Sequence, residues 1–227
     1  MSIDYWFPTV VYTEVLDTPY EVDVDMTAYV DEFHSEHPNE YIVTGDVAND
    51  SQLADEREFQ WLNNQVHKHC KMYLEAYGVS TNDLVLFSSK SWPVVCNPKF
   101  RLYDTQRVIE PHSHPNSHLS AIFYLQTDTD SGGELILHAP AAHPIRHLPL
   151  PFDERVTLAS LDSMEYEPKE NQLIIFPSSV EHEVSLYYGD FNRYAITYDI
   201  IVTGRENFEG NNEMCMTNPM NWTNLYD

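Results

Sequence analysis

The sequence predicts a mainly β protein, an antiparallel sandwich or barrel behind a short N-terminal part with supporting helices. Three observations predict it. From Leu84 to Val202 the chain is a succession of short aromatic and β-branched runs. Turn residues separate them at Asp130-Ser-Gly-Gly, Pro149–Pro151, Glu170-Asn171 and Gly189-Asp190. No long helical pattern lies between them, and a parallel sheet would need such crossovers.

The elements follow in order. Val10 to Val15 reads as a first strand, with Pro8 ahead of it. Met26 to His34 reads as a short helix. Asp55 to Tyr77 is the strongest helical pattern in the chain. Asp55 and Glu58 have capping-box spacing, Phe59, Leu62, Val66, Cys70, Tyr73 and Tyr77 form one apolar stripe, and Gly78 ends it. That stripe is core packing. His67 and His69 stand two apart on this helix, face different directions and read as surface histidines. Strands are then expected at Leu84–Phe87, Val94–Cys96, Phe100–Tyr103, Leu119–Gln126, Glu134–His138, Val156–Leu161, Gln172–Phe176, His182–Tyr187 and Tyr194–Val202. The tail after Gly204, rich in Asn, Glu and Met, reads as irregular or as a packing arm. One domain over 1–227 is expected: an N-terminal strand and supporting helices over 1–82, a β core over 83–203 and an irregular C-terminal arm over 204–227.

Bulk composition limits the partners. With 42 % apolar residues, 15 Tyr and 10 Phe, the chain can build a sizeable core, and 7 Gly with 14 Pro exclude collagen-like or linker character. Thirty-six Asp+Glu against 12 Lys+Arg give a formal charge of −24. A field of that sign repels nucleic-acid phosphates and anionic membranes, keeps a protein soluble, and could favour a cationic substrate. Cys70, Cys96 and Cys215 are odd in number, far apart and without a Cys-x-x-Cys pair, which fits reduced thiols in a cytoplasmic setting. No signal-like N-terminus is expected, nor any run near the roughly 20 apolar residues of a membrane helix.

The chemistry concentrates in Pro111 to Leu125, together with His182 and Arg193. His112 and His114 stand two apart and point to one side of an extended segment. His182 sits in Phe-Pro-Ser-Ser-Val-Glu-His-Glu-Val, and Arg193 opens Arg-Tyr-Ala-Ile-Thr. Two close imidazoles, a distant one and a trailing basic residue suit a three-point metal site with a dicarboxylate co-substrate. Facial sites with open positions suit Fe(II) and oxygen. The plainer alternatives are two surface histidines and an Arg matched to one of the many acids. A buried Arg needs an anion, and the guanidinium fork fits a carboxylate. On Leu119–Gln126, residues Ser120, Ile122, Tyr124 and Gln126 share one face, which places Tyr124 to offer its hydroxyl to the co-substrate. Tyr103 would line the same pocket; either Tyr could equally be a core aromatic with a satisfied hydroxyl. His118 stands at the pocket edge or on the surface. His138, His143 and His147 belong to a Pro-rich stretch through Pro151, a plain excursion or a substrate lid rather than a second metal site.

At these residues the chain resembles the Fe(II)- and 2-oxoglutarate-dependent dioxygenases, in particular the prolyl-hydroxylase-like branch and a phage and bacterial 2-oxoglutarate/Fe(II) oxygenase family. That family carries His-x-His-Pro-x-Ser-x-x-Ser-Gly-Val-Tyr-Tyr-Leu. The counterpart here is His112-Ser-His114-Pro-Asn-Ser-His-Leu-Ser120-Ala-Ile-Phe-Tyr124-Leu. The oxygen-sensing prolyl hydroxylases have a Tyr-Tyr-Leu strand, a Ser-Gly-Gly turn, a His-Glu-Val and an Arg-Tyr-Ala-Ile-Thr. This chain has Phe123-Tyr124-Leu125, Ser131-Gly132-Gly133, His182-Glu183-Val184 and Arg193-Tyr-Ala-Ile-Thr197 in that order, so the resemblance spans about residues 92–202.

The resemblance implies a double-stranded β-helix (a cupin-like jelly roll), with the ends of two strands adjacent at its mouth. It implies a hydroxylase that uses Fe(II) and 2-oxoglutarate and releases succinate and CO2, acting on a small-molecule or peptidyl substrate. His112 and His182 would bind iron, and Arg193 would hold the far carboxylate of 2-oxoglutarate, with Tyr124, Thr197 and Tyr103 helping. One departure matters: the superfamily's first motif is usually His-x-Asp or His-x-Glu, and here its third residue is His114. Either His114 is the third ligand, making three neutral imidazoles, or it stands behind the metal and leaves a position for water or an anion. A three-His cupin-type dioxygenase without 2-oxoglutarate, and a non-catalytic jelly-roll binding or virion-associated module, are the competing classes.

Overall fold

The computed structural model describes residues 9–36, 52–96, 109–128, 130–139, 162–206, 216 and 218–223. Among the described residues nine strands form two antiparallel sheets. The larger sheet has the order β1 (Tyr12–Val15), β7 (Gln172–Pro177), β4 (Leu119–Gln126), β9 (Arg193–Gly204), β2 (Leu84–Cys96). The smaller has the order β3 (Ile109–His112), β8 (His182–Val184), β5 (Leu135–His138), β6 (Ser163–Tyr166). Helices α1 (Tyr20–Glu36) and α2 (Gln60–Ala76) cover the outer face of the larger sheet. The mainly β architecture agrees with the sequence reading.

The two layers of core follow from the strand period of two. On β4, Ala121, Phe123 and Leu125 face the helices and meet Met26, Val30, Phe59, Leu62, Val66, Cys70 and Tyr73. Ile122 and Tyr124 face the smaller sheet and meet Leu135, Leu137, Val184 and Tyr187. Covered on both sides, β4 reads as one continuous apolar run instead of an alternating one.

Several elements differ from the sequence expectation for identifiable reasons. Leu84–Phe87 and Val94–Cys96 are parts of one strand, β2, whose polar middle is carried by a bulge between Ser88 and Lys90. Pro93 is tolerated because β2 lies at the sheet edge. β3 and β6 were not expected, their sequences Ile-Glu-Pro-His and Ser-Met-Glu-Tyr being too polar and short to signal a strand. β8 ends at Val184, short of Tyr187. The strands expected at Phe100–Tyr103 and Val156–Leu161 lie outside the described residues.

The first helix is longer at both ends than Met26–His34. The second begins only at Gln60, after two 3-10 turns at Leu53–Asp55 and Arg57–Phe59. The Asp55/Glu58 capping box does not form; Ala54 N–H instead donates to Ser91 Oγ of β2 at 2.7 Å. The stripe from Phe59 to Tyr73 is buried as expected, whereas Tyr77 is exposed. His67 is at the surface, but His69 is buried, its Nδ1 2.7 Å from the Tyr12 hydroxyl, because β1 crosses that side of the helix. Among the described residues no helix is long and apolar enough to cross a membrane.

Candidate metal centre

His112 ends β3 and His182 opens β8, and the two are directly paired across these strands. His114 follows in the turn towards β4, its N–H donating to Ser178 O at 2.9 Å. Residues far apart in the chain therefore converge: one nitrogen from each of His112, His114 and His182 lies within 4.8 Å of the others. Among the described residues this is the only such group of three or more His, Cys, Asp or Glu side chains.

The ring orientations decide what the group can do. His112 Nδ1 lies 2.8 Å from Glu110 O, and His182 Nδ1 lies 2.9 Å from Val180 O. A carbonyl can only accept, so both Nδ1 atoms are donors. His114 Nδ1 lies 2.5 Å from Asp199 Oδ1, an acceptor when ionised. Nδ1 of His112 and of His182 thus carries the proton and their Nε2 keeps a lone pair, the tautomer a metal needs, while His114 Nδ1 faces the Asp199 carboxylate. Burial, together with the neighbouring His112 and His114, holds the His182 imidazolium down to about 4, so this ring is neutral at ordinary pH. Burial also lowers His112. The donor set fits a borderline divalent ion such as iron.

The three rings open into a cavity of about 340 Å³ between the sheets. Its wall is the inner face of β9 and β2: Arg193, Ala195, Thr197 and Asp199 alternate along β9, opposite Val94, Trp92 and Lys90. Arg193 is 1 % exposed, and its Nη1 donates to Cys96 Sγ at 3.2 Å. Its guanidinium lies 5.1 Å from the centre of the Tyr124 ring. Arg193 Nε and Trp92 Nε1 are buried without a hydrogen-bond partner among the described residues, and the Tyr124 hydroxyl lies against the guanidinium. A buried cation with no carboxylate beside it among the described residues is costly unless a ligand supplies the anion. Gly133 makes room for this guanidinium: a Cβ there would stand 3.3 Å from Arg193 Cδ and Nε.

The sequence-expected residues distribute as follows. His112, His114, His182, Arg193, Tyr124 and Thr197 all line the one cavity. Tyr103, His143 and His147 lie outside the described residues. Gln126 leaves the cavity face, since a register shift after Tyr124 turns its side chain to Asn192 O. His118 is exposed and accepts from Val202 N–H. His138 is half-buried, with Nε2 3.2 Å from Glu183 Oε1. Asp199, Trp92, Lys90 and Cys96 were missed. The signal for Asp199 was the period-2 row that begins at Arg193 and ends in a charge inside an apolar strand.

Residues 90–199 match the family model described as "Putative 2OG-Fe(II) oxygenase". No curated protein matches by sequence. Among solved structures, AviO1 from Streptomyces viridochromogenes Tue57 is similar at 12 % identity and TM-score 0.56, over 85 % of this chain and 90 % of that one. A Trichoplax adhaerens prolyl hydroxylase, solved with a hypoxia inducible factor oxygen degradation domain peptide fragment, is similar at 15 % identity and TM-score 0.51, over 84 % and 83 %. An oxidoreductase of the 2OG-Fe(II) oxygenase family from Burkholderia pseudomallei is similar at 14 % identity and TM-score 0.44, over 65 % of this chain and 57 % of its own length. The chain resembles 2-oxoglutarate/Fe(II) oxygenases, and its fold is theirs. That family implies Fe(II) and 2-oxoglutarate, and the three-histidine group fits the iron.

Proposed function

We propose that this protein is an Fe(II)- and 2-oxoglutarate-dependent oxygenase that hydroxylates a small-molecule or peptidyl substrate. The observation that carries the reading is the pairing, in one cavity, of three imidazoles with a fully buried guanidinium that has no carboxylate partner among the described residues. His112, His114 and His182 would hold the metal through their free Nε2 atoms. When bound, Fe(II) and 2-oxoglutarate supply the oxidising chemistry, in which the keto acid is converted to succinate and CO2 while one oxygen atom enters a substrate C–H bond.

The chain's own residues bind and orient. Arg193 would grip the distal carboxylate of 2-oxoglutarate with its Nε and remaining N–H groups, and the Tyr124 hydroxyl would donate to the same oxygens. Thr197, on the same row of β9, would add a hydroxyl beside the chain of the keto acid. Ile122, Ile109, Val94 and Val184 give the cavity an apolar lining that excludes water from the reacting carbon. Lys90, Trp92, Ser113 and Asn116 complete the lining and would face the substrate. No side chain is needed as a general base, because the hydrogen is removed by oxidation.

The test is turnover of anaerobically purified protein given Fe(II), 2-oxoglutarate and oxygen. Succinate formation is expected even without substrate, at a slow uncoupled rate. Absence of both succinate and calorimetric 2-oxoglutarate binding would overturn the reading. Oxygen uptake without a keto acid would favour the cupin-type alternative.

A further inference from the structure

We propose that Asp199 is the anion of this metal centre at one remove, a positioning residue whose carboxylate makes His114 the most electron-rich ligand and so sets metal affinity and iron potential. The inference rests on the reading of His112, His114 and His182 as the metal ligands.

Three neutral imidazoles bring no negative charge to a divalent ion. Two of the rings spend their Nδ1–H on backbone carbonyls, Glu110 O and Val180 O. Only His114 spends it on a carboxylate, at 2.5 Å. Both side chains of that pair are 12 % exposed, so little water screens the interaction. A carboxylate behind a ligating imidazole fixes its tautomer, fixes its ring plane and raises its donor strength.

The charge balance of the cavity gives Asp199 a second reason to be there. A divalent ion and a dicarboxylate cancel each other. The Arg193 cation then needs one buried negative charge. Asp199 is the only Asp or Glu that is buried among the described residues. It is not a direct partner of Arg193: the two sit six positions apart on β9, about 20 Å along a strand at roughly 3.3 Å per residue. The separation leaves Arg193 open to a ligand at one end of the cavity and puts the compensating anion beside the metal at the other.

Asp199 is held ready without the metal. It pairs with Ser120 across β4 and with Lys90 across β2. Ser120 Oγ lies 3.4 Å from Asp199 Oδ1 and 3.0 Å from Ser178 Oγ, which also receives the Ser117 hydroxyl at 2.8 Å. Ser120 and Ser178 have no solvent exposure. On the other side the Trp92 ring packs 5.7 Å from the His114 ring. The dyad is therefore clamped by sheet register, hydroxyls and an aromatic wall.

The test is anaerobic titration with Co(II), read by its visible spectrum, of the wild-type chain and of Asp199→Asn. The isosteric amide can still accept from Nδ1–H but carries no charge. It should bind Co(II) about 10–100-fold more weakly, and the potential of bound iron should rise, while the melting temperature of the metal-free protein stays close to wild type. Equal Co(II) affinity and equal iron potential would overturn the proposal and leave the oxygenase reading standing. No Co(II) uptake by the wild type would overturn both. Should the variant not fold, nuclear magnetic resonance of the wild-type Zn(II) form decides: the His114 ring must show an Nδ1 proton, the most deshielded of the three ring protons. Its absence would mean that His114 binds otherwise, and would overturn the proposal.

Discussion

The two faces of the larger sheet carry opposite chemistry on the same strands. Along β9, Tyr194, Ile196, Tyr198 and Ile200 point to the helices, while Arg193, Ala195, Thr197 and Asp199 point to the cavity. On the helix face the polar atoms are matched: Tyr198 Oη donates to Asn63 Oδ1 at 3.0 Å, and Tyr194 Oη donates to Asp31. On the cavity face Arg193 Nε and Trp92 Nε1 are without partners among the described residues, and the Tyr124 hydroxyl lies against the guanidinium. The helix face is therefore where stability resides. The cavity face holds buried polar groups that the described residues leave without partners, the kind of surface that suits a polar ligand.

Adjacent residues of β4 give the sharpest way to break that comparison. Phe123 is buried among the helix-facing residues and Tyr124 among the cavity-facing ones. Phe123→Ala should cost about 3–5 kcal/mol. For a chain of this size that is a fall in melting temperature of roughly 10 °C or more, measurable by calorimetry on the metal-free protein. A drop under roughly 3 °C would mean that the helix layer contributes little. Tyr124→Phe should instead leave the melting temperature close to wild type, since the buried hydroxyl it deletes lies against the Arg193 guanidinium and not in the helix-facing core. Its effect should appear as several-fold weaker 2-oxoglutarate binding.

Arg193→Met extends the contrast. A buried charge replaced by an apolar chain of similar length is often neutral or stabilising. The variant should melt no lower than wild type, yet lose about 2–5 kcal/mol of 2-oxoglutarate affinity, with metal affinity in the absence of keto acid retained. A strongly destabilised variant would show that Arg193 is a structural cation with a protein partner.

Metal addition should act on the cavity face alone. At a hundredfold excess over the dissociation constant, a ligand confined to the native state adds about 2.7 kcal/mol. Wild-type protein should gain several degrees on addition of Mn(II) or Co(II). His182→Ala should gain none, while its metal-free melting temperature stays near wild type. An equal gain in both would move the metal elsewhere.

Much of this division was legible in the sequence. Aromatic and β-branched runs between turn residues located most strands of the core, and the set His112, His114, Tyr124, His182, Arg193 lines the one cavity. The helix face was legible too, as the Phe59-to-Tyr73 stripe. What stayed hidden depends on partners distant in the chain. His69 looks like a surface residue until β1 is laid across it. Asp199 looks like one of 36 acidic residues until the register sets it opposite Ser120 and beside His114. The helix start was misplaced because two 3-10 turns precede it: Asp55 N–H is given to Gln52 O, and Ala54 N–H to Ser91 Oγ on a strand 37 residues away, so the local capping box has no role.

The smallest effect concerns the turn that lets the two chemistries coexist. Gly133 has φ +77°, and a Cβ there would press on Arg193 Cδ and Nε at 3.3 Å. Gly133→Ala therefore does two things. It adds about 1 kcal/mol of left-handed backbone strain, and it pushes on the guanidinium by a few tenths of an ångström. The first lowers the melting temperature by roughly 2–4 °C. The second should weaken 2-oxoglutarate binding a few-fold while leaving Co(II) affinity as it was, because the three imidazoles lie at the other end of the cavity. Were Co(II) binding to weaken in step with 2-oxoglutarate, the ends of the cavity would be mechanically coupled, and the cavity face would have to be treated as one unit.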